Sequence, residues 1–82
     1  MITLNNNDSN PVDWYIMPKY DCDINNAVGS GSLAANSSAT FATSNSQTVV
    51  FAFGTDFAAG GVCGSNATAD FFNDPNGAWC RV

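Results

Sequence analysis

Gln47-Thr48-Val49-Val50-Phe51-Ala52-Phe53 is the heaviest apolar run of the chain, and its reading decides the fold. Seven residues rich in β-branched and aromatic side chains read as a strand. Val49, Phe51 and Phe53 fall on one face and Val50 and Ala52 on the other, so both faces are expected to be covered and the strand to be central. The same run is the longest apolar one present, far short of the roughly 20 residues that cross a bilayer as a helix.

Upstream, Ala39, Phe41 and Thr43 alternate with Ser38, Thr40 and Ala42, and Ser44-Asn45-Ser46 reads as the turn of a hairpin joining this lighter strand to the heavy one. Downstream, Gly54 to Gly64 reads as irregular, with a short extended piece near Val62 and Cys63. Ala67, Ala69 and Phe71 alternate with Thr68, Asp70 and Phe72, and Ala78, Cys80 and Val82 with Trp79 and Arg81. Between them Asp74-Pro75-Asn76-Gly77 places Asp, Pro and Gly where a type I turn accepts them, which predicts a second hairpin.

At the other end, Ile2 and Leu4 make a first short strand that stops in the polar cluster Asn5 to Asn10. Val12, Trp14 and Ile16 share one face of a second strand and Asp13, Tyr15 and Met17 the other. Pro11 and Pro18 bracket it, which favours an edge position. Lys19 to Gly31 reads as a loop, because Asp21, Asp23, Asn25 and Asn26 mimic backbone groups and Gly29 and Gly31 relax the dihedrals. Leu33 is its anchor.

The expected fold is therefore all-β, a single domain over residues 1–82, built as a small β-sandwich or compact barrel of about six or seven short antiparallel strands. Its expected core is Trp14, Ile16, Phe41, Val49, Phe51, Phe53 and Phe71. The opening Ile2-Thr3-Leu4-Asn5-Asn6, then Val12-Asp13-Trp14, Ser32-Leu33 and Ser38-Ala39-Thr40-Phe41, are similar to the first strands of thaumatin-like proteins. Those proteins are far longer and richer in cysteine, and no residue role is carried over from them.

Composition narrows the function. The 82 residues include seven Asp, one Lys, one Arg, no Glu and no His, for a net charge of -5. Such a surface has no cationic patch to neutralise phosphates, so nucleic acid and anionic membrane are not expected partners. No imidazole base is available, and no catalytic residue is assigned. Spread aromatics, 12% of the chain, argue for a folded core rather than a disordered tail.

Cys22, Cys63 and Cys80 are the disulfide candidates, and any one bridge leaves a thiol over. They show no CxxC spacing and have no His to complete a zinc site. Asp21, Asp23 and Asn25 set three oxygen-bearing side chains on alternate positions, the start of a calcium loop. Asn26 then stands where the turn Gly belongs and Ser32 where a closing Glu would be, so calcium is only a weak expectation and no other cofactor is implied. Asn7-Asp8-Ser9, Asn36-Ser37-Ser38 and Asn66-Ala67-Thr68 fit the N-glycosylation pattern. Met1 to Leu4 runs into Asn5 without a basic start, so no leader peptide is read there.

Trp14, Tyr15, Tyr20 and Trp79, near Asp13, Asp21 and Asn76, are of the type that sugar sites use, rings for stacking beside short polar groups. A low-charge surface of Asn, Ser, Thr and Ala with few Lys gatekeepers also suits assembly of copies side by side. The leading expectation is a non-enzymatic extracellular or surface structural subunit that self-assembles through sheet edges or flat polar faces, its partner being itself. The alternatives are a small secreted carbohydrate-binding module, with a glycan or protein partner, and a small secreted effector, toxin or inhibitor.

Overall fold

A computed structural model of the chain describes residues 1–18, 21–44, 46–55, 58–64, 66–72 and 79–81. Among these residues there are eight strands, β1 (Ile2–Asn6), β2 (Val12–Pro18), β3 (Gly29–Leu33), β4 (Ser38–Phe41), β5 (Gln47–Gly54), β6 (Ala58–Gly64), β7 (Thr68–Phe72) and β8 (Trp79–Arg81), and one 3-10 turn at Ile24–Asn26. They form two four-stranded sheets of order β4-β1-β7-β8 and β3-β2-β5-β6. The all-β sandwich expected from the sequence is the fold, with one unexpected parallel pairing, β1 with β7.

The sandwich closes because each sheet has one apolar face. From the first sheet Ile2, Leu4, Ala69 and Phe71 point inward; from the second Val12, Trp14, Ile16, Leu33, Val50, Ala52 and Cys63 meet them. Ile2, Leu4, Ile16, Val50 and Phe71 are wholly excluded from solvent. Each such side chain contributes about 1.5 to 3 kcal/mol by leaving water. The sheets also approach at both margins, β3 near β4 and β6 near β8.

The heavy strand is central as expected, between β2 and β5's other neighbour β6. Its inward face is the reverse of the expected one. Val50 and Ala52 are buried in the core, whereas Phe53 is 41% exposed and Phe51 half-buried on the outer face. Strand alternation defines two faces but not which is inside; the pairing Trp14↔Ala52 and Ile16↔Val50 decides it, because Trp14 and Ile16 are inward.

Three other expectations are corrected. β4 does not form a hairpin with β5: it pairs with β1 in the first sheet, and the connection between them crosses the sandwich. β2 is not an edge strand, since β3 and β5 flank it. Pro18 is its last residue, where a missing N–H disturbs the ladder least. Finally Gly29 to Leu33 and Ala58 to Gly64 are full strands rather than loop.

Three of their glycines, Gly29, Gly31 and Gly60, are required by aromatic rings. A Cβ on Gly31 would lie 2.9 Å from Cζ2 of Trp14, its cross-strand partner. Gly29 is covered in the same way by Phe41, which reaches across from β4, and Gly60 by Phe51. Glycine signals a loop by composition, yet here it makes room for a ring on a pleated surface. The hairpin of β7 and β8 forms with Phe71 opposite Cys80; its turn residues 73–78 lie outside the described residues.

Candidate functional site

Since Trp14 and Ile16 face the core, Asp13 and Tyr15 must face away, and β2's neighbours place their own outward residues beside them. The register sets up two rows across the second sheet. Ser32, Asp13, Phe53 and Ala58 lie side by side on β3, β2, β5 and β6, and Ser30, Tyr15, Phe51 and Gly60 form the next row. A third row begins at Met17 and Val49, which are buried despite their outward direction, and continues to Val62, which is 44% exposed.

The result is an aromatic strip on an open sheet face. Tyr15 and Phe53 meet edge to face with centroids 5.8 Å apart, and Phe51 and Phe53 lie tilted at 6.3 Å. Such geometries add about 0.5 to 1.5 kcal/mol per pair beyond area burial, so the rings hold one another in place while their outer surfaces stay available. Beside Phe53, the Ser32 hydroxyl donates to Asp13 Oδ1 at 2.6 Å. A shallow depression of about 480 Å³ opens at this end of the sheet, lined by Pro11, Asp13, Ser32, Phe53, Gly54 and Thr55.

Of the expected binding residues, only Tyr15 is seen on this face. Trp14 is 8% exposed, packed over Gly31 and edge to face with Phe41 at 6.1 Å, so it belongs to the core. Tyr20 lies outside the described residues, as does the side chain of Trp79 on β8. Phe51 and Phe53 were expected inside; their strand period was readable, and only the face was not.

The Asp21, Asp23, Asn25 group is occupied with backbone chemistry. Asp21 Oδ1 accepts from the Asp23 N–H at 2.9 Å, and Asp23 Oδ1 from the Asn25 N–H at 3.0 Å, capping the 3-10 turn. Among the described residues no three His, Cys, Asp or Glu side chains gather as a metal site would need. Cys22 is exposed and Cys63 buried, and no disulfide is seen among the described residues; the side chain of Cys80 lies outside them. No described helix is long and apolar enough to cross a membrane. The three sequon residues Asn7, Asn36 and Asn66 are all exposed.

No protein-family model, curated protein or solved structure matches this chain, which leaves the outer face of β3-β2-β5-β6 as the feature from which function is argued.

Proposed function

We propose that this chain is a non-enzymatic extracellular binding module that recognises carbohydrate through the outer face of its β3-β2-β5-β6 sheet. The observation that carries the reading is the strip of the exposed Phe53 and the half-buried Tyr15 and Phe51 beside the Asp13 and Ser32 pair. A sugar ring has C–H-lined faces and a hydroxyl-lined edge, and it is matched by aromatic surface next to a carboxylate acceptor. A contiguous apolar patch at a surface, unlike a single exposed side chain, marks a contact site. The absence of His and Glu from the whole chain supports binding without catalysis.

The test is a glycan array probed with the wild type and with a Phe51→Ser, Phe53→Ser double variant. Retention of one or more glycans by the wild type and its loss in a variant with unchanged circular dichroism is the expected result. Equal retention by both proteins would refute the face assignment.

A second reading, assembly of copies, is favoured by β6. Ala58 to Gly64 is an edge strand without Lys, Asp or Pro, and Val62 and Phe53 are exposed beside it. It predicts a mass that rises with concentration in light scattering and returns to that of one chain in Val62→Lys.

A further inference from the structure

We infer that the depression at the end of β2 and β5 is the seat for a single neutral hexopyranose, with Phe53 as its apolar wall and Asp13 as its hydroxyl acceptor. This rests on the carbohydrate-binding reading and goes beyond it by naming the seat, its polar anchor and the sugars it refuses.

Ser32, Asp13 and Phe53 form one row of the sheet. Cross-strand pairing brings these three residues from three different strands to one end of one face. A rigid ladder therefore fixes their spacing, as precise recognition requires. Asp13 is exposed, and its Oδ1 is held by the Ser32 hydroxyl. That contact orients the carboxylate and leaves its second oxygen as a further acceptor on an exposed side chain. Ser32, having given its proton to Asp13, keeps lone pairs that accept from a second hydroxyl.

Neighbouring acceptors suit neighbouring hydroxyl donors, the pattern on the edge of a pyranose. Phe53, 41% exposed and braced by Tyr15 and Phe51, offers ring surface to the C–H face of the same sugar. Pro11 and Gly54 bound the depression with little polar demand, and the exposed Thr55 adds a hydroxyl at its rim. At about 480 Å³ it lies within the roughly 300–1,000 Å³ range of small-ligand sites and has room for a sugar ring.

Charge supplies the selectivity. The chain carries a net charge of -5 and the seat's central polar group is a carboxylate, so uronic and sialic acids are repelled while neutral sugars are not.

The experiment is NMR titration of the whole chain, ¹⁵N-labelled, with methyl β-D-glucopyranoside, methyl α-D-mannopyranoside, methyl β-D-galactopyranoside and glucuronic acid. One or more of the neutral glycosides is expected to shift the amides of Asp13, Ser32, Phe53 and Thr55, with glucuronic acid inert. Asp13→Asn, which keeps an acceptor for Ser32, is expected to weaken binding at least about ten-fold, because hydrogen bonds to a charged acceptor are the stronger kind. Phe53→Ala is expected to abolish it. Shifts confined to β6, or an unaltered affinity in Asp13→Asn, would overturn the seat while leaving carbohydrate binding by the face intact. Silence towards every neutral glycoside also overturns the seat, and the array with the double serine variant then decides the broader reading separately.

Discussion

The carboxamide nitrogen of Asn6 lies 3.2 Å from the carbonyl oxygen of Leu33, so the last residue of β1 in one sheet is tied to the last residue of β3 in the other. The same nitrogen lies 3.1 Å from the Ala34 carbonyl and 2.9 Å from that of Asn10, while Oδ1 accepts from the Asp8 N–H at 3.0 Å. Asn6 is 1% exposed, and one buried amide thus binds main-chain groups of two segments, residues 8–10 and 33–34.

Replacing it by Leu keeps the approximate volume and removes these hydrogen bonds, leaving the Ala34 carbonyl only its bond from the Ser37 N–H. Each buried polar group left unpaired costs about 1 to 3 kcal/mol. Asn6→Leu is therefore expected to lower the urea midpoint by an amount equivalent to at least about 2 kcal/mol, against a small effect for Asn7→Leu at the exposed neighbouring site.

Phe71 and Phe53 separate the inside from the outside. Phe71 is fully buried between the sheets, and truncation to Ala is expected to cost about 3 to 5 kcal/mol, a large part of the stability of so small a domain. Phe53→Ala removes a ring already 41% exposed and is expected to cost about 1 kcal/mol. Equal losses in chemical denaturation would overturn the assignment of the two faces of β5.

Gly31→Ala tests the ring above it. A methyl group there meets Trp14 at 2.9 Å, and overpacking of this kind costs about 1 to 3 kcal/mol, more than the 0.5 to 1 kcal/mol that Ala gains over Gly in backbone entropy. A net loss of stability is expected, with a shift of the Trp14 emission maximum read in a Trp79→Phe background.

Thr48 predicts a change of the opposite sign. It is wholly buried, and its Oγ1 has no hydrogen-bond partner among the described residues. Thr48→Val removes that unsatisfied hydroxyl while preserving the shape, and is expected to stabilise the domain by about 1 kcal/mol in the same denaturation measurement.

Asn36 turns the chain between β3 and β4 with φ of 58°, in the left-handed region. Asn tolerates that conformation better than other residues with a Cβ, so Asn36→Ala is expected to lose about 1 kcal/mol and Asn36→Gly to stay within a few tenths. Thermal melts of the two variants check the order.

The parts of this structure that were readable in the sequence are those set by period. Trp14 and Ile16 share the core face, β5 is central, and β7 and β8 make a hairpin, all from alternation and turn chemistry. What alternation does not carry is partner choice. Val49, Phe51 and Phe53 outweigh Val50 and Ala52 by any hydrophobic measure, yet the lighter face is inside because it stands opposite Trp14, Ile16 and the narrow Gly61. The candidate site follows the same rule. Tyr15 was recognisable as a surface aromatic, but its union with Phe53, Asp13 and Ser32 depends on pairings between residues distant along the chain. Asn6, in a run of Asn that reads as a turn, had no local sign of being buried.

One consequence follows from the place of β1. It lies in the interior of its sheet, with Leu4 opposite Ala39 on one side and Ala69 on the other. When this strand is synthesised neither neighbour has been made, and the parallel one follows far along the chain, with Thr68 opposite Thr3. The sheet of β1 is therefore completed by closure between distant segments, a slower event than pairing of consecutive strands such as β2 and β3, and in that interval a low-charge chain is most open to aggregation or to capture by a chaperone.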